Sequence, residues 1–201
     1  MNVRTPIFVL LTALALAAQP PPPGRGPAPP PGGPPPPGGR EAVQRRLADA
    51  KPADATGKNI LALAKVYLAR SEQERSSPFA ATRFLVAADA LSQAVEHQQH
   101  LFQKGGPPPP GRAELTRHLE RVYFRLQQAD YFVKQSVDPN AETIAGFARR
   151  YYQEALRAGA DLRTADECAK SAEELMRALE SLAQSTAPPP PPPPKPGREK
   201  P

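Results

Sequence analysis

The 201-residue chain carries 26 Lys and Arg against 20 Asp and Glu, a formal charge of +6, with 29 prolines and a single cysteine. The excess charge sits substantially in the ends: residues 40–187 hold 21 basic and 19 acidic side chains, so the body lacks the concentrated positive charge of a nucleic-acid-binding domain. One cysteine excludes an intramolecular disulfide, and packing alone must hold the fold.

The N-terminus reads MNVRTPIFVLLTALALAAQP. Arg4 supplies a basic start, residues 7–18 are a predominantly apolar run of twelve, and Ala15, Leu16 and Ala17 offer an A-x-A cleavage pattern. Twelve residues fall short of the ~20 that a bilayer span needs. Residues 1–18 are therefore expected to be a signal peptide, directing export to a bacterial periplasm or the exterior and leaving no transmembrane span after cleavage. Residues 19–39 hold 12 prolines interrupted by glycine, and such a stretch favours polyproline II joints over helix or sheet. Residues 188–201 hold nine more prolines, seven of them consecutive.

Between these ends the periodicity is helical. Residues 40–50 place Val43 and Leu47 on one side. Pro52 and Gly57 break the pattern, and residues 58–74 resume it with Ile60, Leu63, Ala64 and Tyr67. Ser77 and Pro78 suit the cap and first position of a third helix. Its stripe is Phe84, Ala87, Ala88, Leu91, Ala94, Val95 and Leu101, with Gln98 as a polar interruption. The string KGGPPPPGR at 104–112 repeats the linker's GGPPPPGGR and predicts a stiff loop over 104–111.

Residues 112–135 are expected to form one helix, because Leu115, Leu119, Val122, Leu126, Ala129 and Val133 alternate spacings of four and three. Asp138 and Pro139 mark the next start, Ile144, Phe147, Ala148, Tyr151 and Ala155 its inner face, and Gly159 its C-terminal cap. Thr164 and Glu167 match a capping box for the last helix, whose seam runs Cys168, Ala172, Leu175, Leu179, Leu182. Cys168 is expected to be a small buried hydrophobe.

The expected class is all-α: an antiparallel bundle of about five long helices plus a short leading helix, over residues 40–187. The spacing Ala80, Phe84, Ala87, preceded by Leu63, Ala64 and Tyr67, resembles a tetratricopeptide hairpin. That resemblance implies a short α-solenoid as the alternative, although the intervening segment is four residues too long and no tandem 34-residue array follows.

Chemistry-bearing residues are few. There is no glycine-rich phosphate loop with free N–H donors, no Gly-x-Ser-x-Gly and no His-Glu-x-x-His, so neither an enzyme nor a cofactor is expected. His97 and His100, at i and i+3 and so about 60° apart on a helix, could share a zinc or copper ion with His118 and Glu114. Phase measured from Leu91 and Val95 turns both outward, where a solvated polar face is the competing reading. Arg117, Arg121 and Arg125 form a basic stripe interleaved with acids. Tyr123, Phe124, Tyr131, Tyr151 and Tyr152 exceed what one helix seam needs, and they are the expected docking surface for another protein. The chain is thus expected to be an exported, non-enzymatic interaction or scaffold protein held between proline-rich tethers, with a ligand- or metal-binding envelope bundle as the alternative.

Overall fold

The computed structural model describes residues 39–52, 54–102 and 108–185. The expected signal peptide, the proline-glycine linker up to residue 38, residues 103–107 of the internal cassette and the C-terminal proline tail lie outside the described residues.

Seven helices follow one another among the described residues: α1 (Gly39–Asp49), α2 (Ala55–Gln73), α3 (Pro78–Phe102), α4 (Arg112–Leu126), α5 (Ala129–Gln135), α6 (Ala141–Ala158) and α7 (Leu162–Ser185). The fold is an all-α bundle, and it is built around α3 and α7. α3 packs on α2 along one side and on α7 along another, while α7 also receives α4, α5 and α6. In a solenoid each repeat touches only its sequence neighbours. Here the largest interface joins α3 to α7, across the whole of α4, α5 and α6, and the bundle is closed.

Local chemistry accounts for the element ends. Asp54 accepts the backbone N–H of Gly57 at 2.6 Å and caps α2. Ser77 accepts the N–H of Ala80 at 3.1 Å, with Pro78 as the first residue of α3. Gly159, with φ of +56°, ends α6 in a conformation that a side chain would resist. The turn from α4 to α5 departs from the single helix expected over 112–135. The N–H of Gln128 bonds to the carbonyl of Arg125 at 3.0 Å, a three-residue closure that tightens the chain and restarts it. No Gly or Pro marks this break. Its effect is to set Ala129, Phe132 and Val133 against the core formed by α6 and α7.

The core is rich in alanine where the central helices meet. Ala87, Ala88, Ala90 and Ala94 of α3 and Ala169, Ala172 and Ala178 of α7 are all fully buried, and small side chains let two backbones approach closely. Leu91, Leu175, Leu179 and Leu182 fill the remaining space with no exposed surface, each worth roughly 1.5–3 kcal/mol of burial. Cys168 is 2% exposed, as its place on the seam predicts. Polar side chains tie the layers together: Arg46 of α1 reaches Asp89 of α3 at 2.6 Å, and Arg177 of α7 reaches the other oxygen of Asp89 at 3.0 Å.

Candidate functional site

The first turn of α7 decides where the histidines go. Asp161, not Thr164, caps this helix: it accepts the N–H of Thr164 at 3.0 Å and its hydroxyl at 2.7 Å. The helix therefore starts one turn earlier than the capping-box reading implies, and Glu167 is released from a capping role. Its carboxylate instead meets α3. Nδ1 of His97 lies 2.9 Å and Nδ1 of His100 lies 3.4 Å from the same oxygen, Oε2 of Glu167. The outward placement of the two histidines is thereby corrected. Because α3 is sandwiched between α2 and α7, the side that a single stripe leaves outward is the side that α7 covers. The imidazoles are 22% and 33% exposed, and the Glu167 side chain only 7%.

His118 occupies a different place. Its ring is held at both nitrogens by carboxylates of α7, Nδ1 by Asp166 at 3.3 Å and Nε2 by Glu173 at 3.0 Å. Bonds to Asp166 and then to Glu173, working against burial, push its pKa up to about 9. It is therefore an imidazolium at neutral pH, donating from both nitrogens. The bond from His118, with Arg121 and Arg125 adding charge against the cost of burial, holds Glu173 down to about 2. A ring locked in this way offers no free lone pair, so His118 stands apart from the metal set proposed with His97 and His100, and Glu114 does not join that set. Lys170 links the two arrangements, 2.6 Å from Asp166 and 3.3 Å from Oε1 of Glu167. Burial works to raise the pKa of both Asp166 and Glu167, but their partners, His118 and Lys170 for the first and His97 and Lys170 for the second, hold both below the ordinary range.

Beside His118 opens a polar cleft of about 840 Å³, walled by residues 108–111 and by Glu114, Arg117, Arg121, Asp166, Lys170 and Glu173. The second half of the internal cassette is thus a wall of the cleft as well as a connection. The basic stripe is partly neutralised here: Arg121 lies 3.4 Å from Glu173, and Arg125 lies 3.3 Å from Glu173 and 3.2 Å from Glu180.

The surplus aromatics divide. Tyr151 is 3% exposed and belongs to the core, which corrects its expected place on a docking surface. Its position on the inner face of α6, next to Ala148 and Ala155, is the physical reason. Tyr131 is exposed on α5 and pairs edge-on with Phe132 at 5.6 Å between ring centres. Tyr123 and Phe124 of α4 are exposed and meet edge-on at 5.9 Å, and Tyr152 of α6 stands 6.2 Å from Tyr123. Together with Leu119, exposed Leu156 and Glu120 they line a largely apolar groove of about 660 Å³. A second depression of about 210 Å³ is lined by Leu126, Gln127, Arg149 and Gln153 together with the same two tyrosines. Tyr123 and Tyr152 thus line both depressions.

Compared with known protein families, with curated proteins and with solved structures, the chain shows no match.

Of the residues that matter here, sequence reasoning gave no site role to Asp166, Glu173 or Leu156 and gave Glu167 only a capping role. The signal for the acids is visible in retrospect. Asp166, Glu167, Glu173, Glu174 and Glu180 recur at helical spacing along the flank of the Leu175–Leu179 seam, where charges border a buried stripe and meet the neighbouring helices.

Proposed function

We propose that this is an exported, non-enzymatic helical interaction domain that receives an extended, proline-rich polypeptide in the groove between α4 and α6. The observation that carries this reading is the largely apolar groove lined by Tyr123, Phe124, Tyr152, Leu119 and Leu156, whose two tyrosines also border a smaller depression with polar walls. Polyproline II repeats every three residues, about 9 Å along its axis, and carries its rings as ridges of its own. Aromatic-lined grooves are the recurrent way to hold such chains, because the ligand is already stiff and loses little entropy on binding. The chain itself supplies such a ligand, with seven consecutive prolines from residue 188 followed by Lys195, Arg198 and Lys200. Glu120, exposed at the groove, complements that positive end. Export rests on the N-terminal pattern, and no described helix is long and apolar enough to cross a membrane.

The test is fluorescence anisotropy of a labelled peptide with the sequence of residues 188–201, titrated with a chain ending at Ala187 so that its own tail does not compete. Saturable binding is expected, weakened at least about fivefold, or about 1 kcal/mol, by Tyr123→Ala and by Tyr152→Ala and left unchanged by Tyr131→Ala. Absence of saturation at millimolar protein, or binding indifferent to both tyrosines, removes the proposal.

A further inference from the structure

Glu167 directs a buried carboxylate oxygen at two imidazole nitrogens, and the distances among them suit more than an ion pair. The three donor atoms, Nδ1 or Nε2 of each histidine and one carboxylate oxygen, lie within 4.8 Å of one another. For bonds of 2.0–2.1 Å to zinc in a tetrahedral site, neighbouring ligand atoms are separated by about 3.3 Å. The two observed separations, 2.9 and 3.4 Å, straddle that value. We infer that His97, His100 and Glu167 form a binding site for a divalent transition-metal ion of borderline softness, Zn²⁺ or Cu²⁺, at the seam between α3 and α7.

The arrangement has the features that such a site requires. Imidazole and carboxylate together suit zinc and copper over calcium or magnesium, which prefer oxygen ligands. Two of the ligands sit one helical turn apart on α3, and the third comes from the facing helix, the way helical bundles build metal sites in their interior. The ligands also stand on the most extensively packed pair among the described helices, and rigid elements hold a coordination geometry better than loops do. The partly exposed imidazoles, 22% and 33% open to solvent, give an entry path, and three protein ligands leave the fourth tetrahedral position for water or an exogenous ligand. Around the ligands, Lys170 contacts Oε1 of Glu167, the oxygen turned away from the histidines, and is shared with Asp166. Arg163 donates to the backbone carbonyl of His100 at 3.0 Å and fixes that end of α3. The positive charge of Lys170 limits affinity, so a dissociation constant in the micromolar range is expected. This inference is independent of the α4–α6 groove, which shares no residue with the site.

The experiment uses the full chain without an affinity tag, stripped with a chelator and titrated with Zn²⁺ against a chromophoric indicator, then loaded with Co²⁺ for visible spectroscopy. One equivalent of Zn²⁺ is expected, with Co²⁺ giving the intense visible bands of a four-coordinate ion. His100→Gln and Glu167→Gln should each weaken binding at least about thirtyfold, and His118→Gln should leave it within twofold. Glu167→Gln also removes a buried charge, so His100→Gln, at the more exposed ligand, keeps the test decisive if the former does not fold. No stoichiometric Zn²⁺ at micromolar free metal, or affinity that survives His100→Gln, or affinity lost only with His118→Gln, overturns the inference.

Discussion

The hydroxyl of Tyr67 donates to the carboxylate of Asp138 at 2.7 Å, joining the middle of α2 to the loop that launches α6, 71 residues away. The side chain of Asp138 is 5% exposed, and it also pairs with Arg70 and accepts the N–H of Asn140 at 2.9 Å. Arg70 in turn lies over the rings of Tyr67 and Phe84, which stack at 6.3 Å. The carboxylate is therefore desolvated and satisfied from three directions.

Removing one of those donors should be felt. Tyr67→Phe keeps the ring packing and leaves a buried charge short of a bond, at an expected cost of about 1–3 kcal/mol. Asp138→Ala leaves Arg70, Tyr67 and the Asn140 N–H without their acceptor, and because the Arg70 side chain is partly open to water, about 2–3 kcal/mol is expected. Urea denaturation of both single variants and the double variant gives the coupling. A double variant whose loss equals the sum of the singles would show that the contact contributes nothing of its own.

The clamp on His118 predicts a stability profile against pH. Its pKa, raised from 6.5 to about 9 by Asp166 and Glu173, contributes stability that is complete below about pH 6.5 and is lost as pH rises through 9. Glu173, lowered from 4.5 to about 2, contributes stability that is complete above about pH 4.5 and is lost as pH falls towards 2. A plateau in Tm between about pH 5 and 6.5 is expected, with an alkaline decline worth about 2–3 kcal/mol. His118→Gln should flatten the alkaline limb. A variant that keeps that limb unchanged would assign it elsewhere.

Gly57 and Gln98 predict an unusual sign. Alanine is normally better than glycine inside a helix by about 1 kcal/mol. At Gly57, however, a Cβ would stand 2.3 Å from Oε1 of Gln98 and 3.1 Å from Cβ of Pro52. Gln98 is 3% exposed, with both amide atoms buried and unpartnered, so the end of its side chain must turn within the core to make way. Gly57→Ala should destabilise by about 1–2 kcal/mol. Gln98→Leu, which removes the unpaired amide, should be neutral or stabilising, and Gln98→Ala should rescue Gly57→Ala. Thermal melts of the four proteins decide the matter, and a stabilised Gly57→Ala single variant would contradict it.

Cys168 should behave as a core atom. Burial pushes its thiol up to about 12, with Glu154 and Glu167 adding to the effect, and the thiolate is the reactive form. Alkylation by iodoacetamide at pH 8 is expected to proceed only as fast as the core opens, and to become immediate in denaturant. Labelling at the rate of a free thiol in the native protein would show the α7 seam to be open.

The patterns that proved legible are a long unbroken apolar seam and a local cap. The seam from Cys168 to Leu182 reads out because α7 buries a continuous stripe, and Ser77 with Pro78 reads out because a cap is a local event. In helix α3 one stripe was legible and the side that meets α7 was not. Its buried set, running from Ala80 and Leu85 to Ser92 and Gln98, covers more than one side, and a phase measured from Leu91 and Val95 captures only one of them. The misplacement of His97 and His100 follows from that. Glu167 was obscured by Thr164, which imitates a cap in sequence while Asp161 serves as one in space. The break between α4 and α5 carries no Gly or Pro and was set by packing against α6 and α7. Tyr151 and Tyr152 are adjacent in sequence and differ only in which side of α6 they take: one is core and the other is groove.

The central place of α7 has a consequence for the order of events in folding. Contacts such as Ser171 with the Ala94 carbonyl, or Arg177 with Asp89, close across 77 and 88 residues. The loops they close are long for a helical protein, and closure costs entropy before the contacts repay it. In the folded bundle the partner of the alanine side of α3 is α7, the last described helix. Closure of that interface therefore waits on residues beyond Leu162, and α7 is a keystone in the order of the chain as well as in space.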